Sequence, residues 1–282
     1  VPAETKKTVL IAGGGPGGLQ AAITLAQRGH KVILCEKSPA TGGQFALAGR
    51  SPDKEDFLST VEWMARKVAD LGAEVRVNTP VTPELMEELK PDHLIIAVGG
   101  HSRPLPVPGG ELAVSCLDVL GNVRRAFGRV VVVGGSFTGV EVAEYADLRG
   151  LPVTIVEMSP KLGAGLSNGR AILLQNYLEE HPNIKSVTNA AVERLEPGKV
   201  HIHILEKKTD RKTGAETVLR DERLALPADT VIAAVGTVSN EYGDLTEAAG
   251  RLGIPYDVIG DAKKPRFAVD AIREAAELCR EI

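Results

Sequence analysis

Short runs of apolar residues alternate with glycine-rich turns and segments of helical periodicity along the chain. Val9–Ala12 and Val32–Cys35 are such runs, and an amphipathic segment from about Gly17 to Gln27 separates them. Apolar runs of this length are typical of parallel strands that are buried on both faces. Gly29 follows the helical segment, where helices commonly stop. The pattern predicts a strand, a glycine-rich turn, a helix and a second strand.

The same succession of elements recurs later in the chain. Val130–Val133 and Val153–Val156 are again apolar runs, and a helical segment at Val140–Leu148 separates them. The two copies keep one constant offset without an insertion, which indicates a duplicated βαβ unit. The corresponding residues are Gly13 and Gly134, Gly18 and Gly139, Gly29 and Gly150, Glu36 and Glu157, and Pro39 and Pro160.

A further pair of apolar runs, Asp92–Gly100 and Asp229–Thr237, predicts strands that return to the edge of a nucleotide site. The proline-rich stretch His101–Gly110 follows the first and predicts a stiff connector between domains. We therefore predict an α/β fold of two nested Rossmann-like dinucleotide-binding domains. Residues 1–104 and 229–282 form the first domain, and residues 105–228 form the second, inserted domain.

Two other segments are predicted to be scaffold. A helix that starts after Ser51-Pro52-Asp53 presents an apolar face, and residues 184–226 alternate and predict a small antiparallel meander. The residues of the helix face are Phe57, Val61, Met64, Val68 and Leu71.

Composition narrows the class of protein. The 282 residues carry a net charge of −4, which argues against nucleic acid as a partner. Apolar runs stay below the ~18 residues of a membrane span, and the polar start at Val1 is unlike a signal peptide. The cysteines Cys35, Cys116 and Cys279 form no C-x-x-C, which argues against a dithiol mechanism and is typical of a reducing compartment. We expect a cytoplasmic location.

The first glycine-rich turn satisfies G-x-G-x-x-G between a strand and a helix. Gly13 permits the tight turn, Gly15 lets the backbone approach a pyrophosphate, and Gly18 lets helix and strand pack closely. The helix N-terminus that follows supplies N–H groups for phosphates. Glu36, at the end of the next strand, is placed to accept hydrogen bonds from an adenosine ribose. This pattern predicts a dinucleotide site.

The second turn departs from the ideal pattern, because Ser136 stands where the middle glycine belongs. Glu157 favours the 2′-hydroxyl of NADH over the 2′-phosphate of NADPH, although Lys161 and Arg170 would argue otherwise if they fold back towards the site. A vestigial domain, or one that binds ADP, is the alternative. The residues of this predicted site are Gly134, Gly135, Ser136, Phe137, Thr138, Gly139 and Glu157.

Gly260-Asp261 lies between an apolar run and a long helical segment near the end of the chain. It resembles the Gly-Asp element of flavoproteins with two dinucleotide-binding domains. The resemblance implies that Asp261 contacts the ribityl chain of FAD and that the following helix points its N-terminus at the flavin, where it would stabilise negative charge. The first domain is therefore expected to hold FAD and the inserted domain NAD(P)H.

Nearly the whole chain resembles the FAD/NAD(P)-binding region of the old-yellow-enzyme-like group that includes 2,4-dienoyl-CoA reductase, enoate reductases and trimethylamine dehydrogenase. The stretches that carry this resemblance, beyond the first turn, are Gly42–Phe57, IIAVGG, VVVVGG, AAVGTVSN and VIGDAKKPRFAVDAIREA. The FAD contacts that it implies are Gly13, Gly15, Pro16, Gly17, Gly18, Glu36, Lys37, Gly43, Gln44, Val81, Ala97, Val98, Gly99, Gly260, Asp261, Ala268 and Val269.

In that group this region follows a TIM barrel that carries FMN and an iron–sulfur cluster. The resemblance implies that NAD(P)H passes hydride to FAD, and that electrons then leave for a barrel on a partner domain or subunit that is absent from this sequence. An unsaturated compound would be the final acceptor. In trimethylamine dehydrogenase-like members the second site holds ADP, which leaves a structural FAD/ADP-binding module as the alternative function.

No catalytic acid, base or nucleophile is assigned, because hydride transfer needs none from the protein. We predict no metal site, because His201 and His203 share a strand face but lack a third ligand nearby in sequence. We expect Cys35 to be a core residue. His101 is interpreted as a loop residue, with a place near a nucleotide as the alternative.

Overall fold

A computed structural model shows the architecture of the chain. It describes residues 1–52, 54–163, 168–210 and 213–282, without the side chains at 168–171 and 175. The chain divides into two compact units: unit 1 comprises Val1–His101 and Thr237–Ile282, and unit 2 comprises Ser102–Gly236.

Strands and helices alternate over much of the chain, as a Rossmann-like fold requires, except for a run of consecutive strands between Ile184 and Ser239. The strands are β1 (Thr8–Ala12), β2 (Lys31–Cys35), β3 (Glu74–Arg76), β4 (His93–Ile96), β5 (Gly100–Ser102), β6 (Val114–Ser115), β7 (Val130–Val133), β8 (Val153–Val156), β9 (Ile184–Val187), β10 (Ala190–Glu196), β11 (Lys199–Thr209), β12 (Glu216–Pro227), β13 (Thr230–Ala233), β14 (Thr237–Ser239) and β15 (Tyr256–Val258). The α-helices are α1 (Pro16–Gln27), α2 (Gly43–Ala48), α3 (Glu55–Asp70), α4 (Pro83–Leu89), α5 (Cys116–Leu120), α6 (Phe137–Asp147), α7 (Asn168–Glu180), α8 (Gly243–Leu252) and α9 (Ala268–Leu278), and single 3₁₀ turns lie at Gly110–Leu112 and Gly260–Ala262.

Unit 1 is built on a parallel sheet in the order β15-β4-β1-β2-β3. Successive residues of β1 point to opposite faces of this sheet. Val9 and Ile11 belong to a core shared with helices α1, α3 and α9, and Leu10 and Ala12 belong to a core with α4 and α8. The chain continues from β1 to β2 on one side and later returns to β4 on the other. This reversal of strand order creates the crevice in which α/β folds bind ligands.

Unit 2 repeats this plan in a parallel sheet of order β6-β13-β7-β8-β9. Val130 and Val132 pack with helices α5, α6 and α7 on one face. Val131 and Val133 pack on the other face with the antiparallel meander β10-β11-β12. The α/β fold class with Rossmann-like elements is confirmed.

The predicted domain boundary at residue 229 is wrong in one respect. Strand β13 pairs in register with β7, from Thr230 opposite Val130 to Ala233 opposite Val133, so it belongs to unit 2. Sequence placed it in the first domain because it resembles β4, but the resemblance reflects duplication: each unit has its own return strand. Unit 1 resumes at Thr237.

Two predictions near unit 2 are also corrected. The proline-rich stretch is part of the folded unit rather than a connector, since Leu105 is buried in the core against the meander. Strand β9 pairs with β8 in the parallel sheet, so the meander begins at Ala190 rather than at residue 184.

The predicted helix over Phe57–Leu71 is observed as α3, with Val61, Met64 and Val68 buried. Asp53, part of its predicted start, lies outside the described residues. Across the described ranges, no helix combines the length and the apolar character needed to cross a membrane.

All three cysteines are buried and free of disulfides. Burial raises the pKa of Cys35 and of Cys116, and it raises the pKa of Cys279 to about 12. Cys35 therefore lies in the core, as predicted.

We predict that the folded protein resists thiol reagents at pH 8, because the thiolate is the reactive form and buried thiols stay protonated. Labelling with a maleimide, followed by mass spectrometry, should modify the cysteines only after unfolding in urea. The variant Ser59→Cys, at an exposed position on α3, is the control and should label at once. Rapid labelling of Cys279 in the native protein would contradict this packing.

Candidate functional site

The glycine-rich turn of unit 1 follows β1 at the carboxyl edge of the sheet. Gly13 has φ of +111°, and a Cβ there would overlap the carbonyl oxygen of Ala97. A Cβ on Gly18 would in turn overlap the carbonyl oxygen of Gly13. Packing within the protein therefore requires glycine at both positions.

Gly15 differs from these two glycines. Its φ is −71°, and no heavy atom would lie within 4 Å of an added Cβ. In the ranges that the structure describes, the N–H groups of Gly15, Gly17 and Gly18 have no protein acceptor, and Pro16 has no N–H to satisfy. The start of α1 thus presents free donors and the positive end of the helix dipole towards an open space, which is the arrangement that holds phosphates.

Glu36 fixes this turn from the end of β2. Its side chain is only 7% exposed. Oε2 accepts a hydrogen bond from the N–H of Gly14 at 2.7 Å, and Oε1 accepts one from the N–H of Ser38 at 2.8 Å. The sequence pattern indicated a ribose contact and missed this structural role. Each oxygen keeps capacity for a second donor such as a ribose hydroxyl.

Unit 2 reproduces the glycine geometry of the first turn. Gly134 has φ of +102°, and a Cβ there would overlap the carbonyl oxygen of Ala234. A Cβ on Gly139 would overlap the carbonyl oxygen of Gly134. Ser136 is exposed at the start of α6, at the position that corresponds to Gly15, and Phe137 and Thr138 form the first turn of that helix.

The glutamate of unit 2 makes the same pair of bonds. Glu157 is 8% exposed, and its Oε2 accepts from the N–H of Gly135 at 2.6 Å while its Oε1 accepts from the N–H of Ser159 at 2.7 Å. Lys161 is exposed after this loop, and the side chain of Arg170 lies outside the described residues. The glutamate, the glycine and the serine that make these bonds recur together at the constant offset, and this recurrence is the sequence signal by which the structural role could have been found.

In unit 1 the predicted GGQ stretch lies against the glycine-rich turn. The N–H of Gly42 donates to the carbonyl oxygen of Gly14 at 2.8 Å. A Cβ on Gly43 would lie 3.4 Å from the Cα of Gly15. Gln44 donates from Nε2 to the carbonyl oxygen of Gly100 at 2.6 Å, which ties α2 to the segment after β4.

The segment after β4 is held by Asn240, a residue that no sequence motif marks as part of the site. Asn240 donates from Nδ2 to the carbonyl oxygen of Val98 at 2.7 Å, and its N–H donates to that of Gly99 at 3.0 Å. Its Oδ1 lies 2.8 Å from Nδ1 of His101, which is on β5 rather than in a loop. Among the predicted contacts farther out, Lys37 is exposed after β2 and Val81 is partly buried beside α4.

The Gly-Asp element lies at the same edge of the unit 1 sheet, directly after β15. Gly260 is buried with φ of +63°, and its Cβ would lie 3.1 Å from the Cβ of Ala271 on α9. A Cβ on Gly17 would lie 3.6 Å from that same atom, so α9 packs beside the start of α1. Helix α9 begins at Ala268, and the next residue, Val269, is exposed.

A cavity of about 520 Å³ opens beside the Gly-Asp element and the start of α9. Burial raises the pKa of Asp261, which forms part of the wall, against the lowering effect of a hydrogen bond from the N–H of Arg266. Except for Asp261, these residues are not predicted from the sequence, because only the fold brings the loop before α9 to the sheet edge. The lining residues are Thr237, Asp261, Pro265, Arg266, Phe267 and Asp270.

The two histidines of β11 each lie beside a carboxylate of the antiparallel meander. His201 Nε2 is 3.1 Å from an oxygen of Glu196, and His203 Nε2 is 2.8 Å from one of Asp221. In the part of the chain that the structure describes, no group of three or more His, Cys, Asp or Glu residues is placed to hold a metal ion.

The fold and the two turns are typical of proteins that bind dinucleotides. A family model described as pyridine nucleotide-disulphide oxidoreductase matches residues 7–257, and the chain belongs to this family. Its members use a flavin and a pyridine nucleotide. Although the chain belongs to this family, it carries no dithiol pair, because the sequence has no C-x-x-C and its cysteines are free and buried.

Several reductases and oxidases are similar to the chain. Cinnamate reductase of Clostridium sporogenes is 31% identical over 99% of this chain and 40% of its own length. NADH oxidase of Thermoanaerobacter brockii is 32% identical over 99% of this chain and 42% of its own length. A solved structure of a 2-naphthoyl-CoA reductase complex has a TM-score of 0.87 at 25% identity, over 100% of this chain and 40% of that one.

The chain therefore spans about two fifths of the length of these relatives. The resemblance to the FAD/NAD(P)-binding region of old-yellow-enzyme-like reductases is confirmed, and the chain is an oxidoreductase domain.

We predict that the glycines of the first turn respond differently to alanine. Gly18→Ala forces a methyl group against a backbone oxygen and should destabilise the fold by ~1–3 kcal/mol or more. Gly15→Ala enters open space at an ordinary φ and should leave stability unchanged or raise it by ~0.4–1 kcal/mol. Urea unfolding of the two variants provides the measurement, and equal losses in both would contradict the assigned geometry.

Proposed function

We propose that unit 1 binds FAD, that unit 2 binds NADH, and that the chain transfers reducing equivalents from NADH to FAD. Bound FAD supplies the chemistry, since it accepts hydride and can release electrons singly. The observation that carries the proposal is Gly15: packing explains Gly13 and Gly18, whereas the space over Gly15 suits a ligand.

The residues proposed to hold FAD have distinct tasks. The free N–H groups at the start of α1 bind the pyrophosphate, and Glu36 accepts from the adenosine ribose. Gly43 and Gln44 line the approach to the turn, and Ala97–Gly99 lie at the end of β4. Gly260, Asp261, Ala268 and Val269 serve the flavin end through the Gly-Asp element and the N-terminus of α9.

Unit 2 is proposed to bind the visiting nucleotide through Gly134–Gly139. A carboxylate at Glu157 favours the 2′-hydroxyl of NADH and repels the 2′-phosphate of NADPH. The relative from Thermoanaerobacter brockii is named as an NADH oxidase, which supports this assignment.

We further propose that electrons leave for a partner domain or subunit, resembling a TIM barrel with FMN and an iron–sulfur cluster, that reduces an unsaturated substrate. The greater length of the relatives supports such a partner, and two of them are reductases of cinnamate and of 2-naphthoyl-CoA. Ser136 favours a second candidate, in which unit 2 holds ADP and the chain is a structural module, because its side chain occupies the place of closest backbone approach.

The first test is anaerobic reduction. The purified chain, reconstituted with FAD, should absorb near ~450 nm and be bleached by stoichiometric NADH. Gly15→Ala should weaken FAD binding while remaining folded, because its methyl group fills the space left for the pyrophosphate. Stoichiometric FAD without bleaching by NADH or NADPH would favour the ADP-binding module, and failure to bind FAD would overturn the proposal.

The second test concerns nucleotide choice. Glu157→Gln should shift the ratio of NADPH to NADH bleaching rates towards NADPH by roughly tenfold, because it removes the charge that repels a 2′-phosphate. Glu36→Gln is the matched control, since it breaks the same backbone contacts in unit 1 and should not change that ratio. A wild-type preference for NADPH would refute the proposed role of Glu157.

A further inference from the structure

The loop between β15 and α9 is held by one carboxylate. Glu274, on α9, accepts at Oε2 from the N–H of Gly260 at 2.9 Å and from Nη2 of Arg266 at 2.7 Å. Its Oε1 accepts from Nζ of Lys263 at 2.8 Å. All three donors belong to the loop, so Glu274 fastens the loop to the helix that follows it.

These contacts are partly shielded from water, because the Glu274 side chain is 18% exposed. Burial by itself opposes its ionisation. The hydrogen bonds from Lys263 and Gly260, and the charges of Lys263 and Arg266, outweigh burial and hold the pKa of Glu274 below its ordinary value. The carboxylate is therefore charged at neutral pH, and its bonds to the loop are charge-assisted.

Glu274 does not line the cavity beside the Gly-Asp element, but Arg266 does. The N–H of Arg266 also donates to Oδ1 of Asp261 at 3.1 Å, and the carbonyl oxygen of Asp261 accepts from Oγ of Ser239 at 2.7 Å. The arginine is thus fixed at both its backbone and its guanidinium. An arginine held in this way by a carboxylate that does not itself line the cavity is a preorganised cation in the cavity wall.

We propose that Glu274 is a positioning residue, which holds Arg266 so that its guanidinium stabilises the negative charge that a flavin gains on reduction. The inference rests on the proposed function, because it takes this cavity as the flavin end of the FAD site. A fixed positive charge near the flavin ring favours the reduced form of the flavin electrostatically.

A double-mutant cycle tests this relation in the full chain. The variants are Glu274→Gln, Arg266→Gln and their combination, and the readouts are FAD affinity, by quenching of flavin fluorescence, and the midpoint potential of the bound flavin. We expect each single variant to bind FAD about tenfold more weakly, and the double variant to bind no more weakly than Arg266→Gln alone.

The sign of the shift in midpoint potential distinguishes a positioning role of Glu274 from a direct effect of its charge on the flavin. Loss of a nearby negative charge would by itself raise the potential, whereas displacement of Arg266 lowers it. We therefore expect both single variants to have a more negative potential than the wild type. Glu277→Gln is the matched control, because this exposed residue lies one turn later on α9 and its substitution changes the net charge equally.

Additive effects in the double variant, or a raised potential in Glu274→Gln, would overturn the inference while leaving FAD binding intact. If Glu274→Gln does not fold, as judged by thermal unfolding without FAD, Arg266→Gln decides: unchanged affinity and potential would overturn the inference. A wild-type chain that does not bind FAD would overturn the proposed function, and this inference with it.

Discussion

In each unit, a buried glutamate that follows the second strand of the βαβ unit holds the glycine-rich turn. This contact fixes the turn at the carboxyl edge of each sheet. Glu36 accepts the N–H of Gly14 and Glu157 that of Gly135, at nearly the same distance. A carboxylate this buried is tolerated because each oxygen receives a backbone donor. The bonds fix the turns that lead into α1 and α6. At the start of α1, among the described residues, the N–H groups of Gly15, Gly17 and Gly18 lack a protein acceptor and are available to an anionic ligand.

The glycines around this contact divide into two kinds. Gly13 and Gly18 are required by the protein itself, since side chains there would meet backbone oxygens. Gly15 has no such neighbour, so packing within the protein does not require its lack of a side chain, and the open space suits the proposed ligand. Ser136 replaces the corresponding glycine in unit 2, so the duplication retains the packing glycines but not the glycine that faces open space in unit 1.

The two units differ most in what surrounds their shared framework. Unit 1 acquires α9 and the loop held by Glu274, which build a cavity around Arg266 at the edge of the sheet. Unit 2 instead covers one face of its sheet with the β10-β11-β12 meander. A resident cofactor benefits from the additional walls of unit 1, whereas a nucleotide that binds and leaves does not need them. This asymmetry supports the proposed division of tasks.

The sequence by itself determined the strands and helices of the two βαβ units and their duplication, and it predicted the edge at which a dinucleotide would bind, because apolar runs and glycine positions depend on local geometry. Only the tertiary structure assigned Thr230–Ala233 to unit 2, since two similar return strands differ only in the partner with which they pair. The tertiary structure also placed Leu105 in the core of unit 2, although the prolines around it in the sequence predicted a connector between domains. The hydrogen bonds of Glu274 and Asn240 were likewise decided by the fold. Such bonds depend on where segments distant in sequence meet, and local sequence patterns do not contain this information.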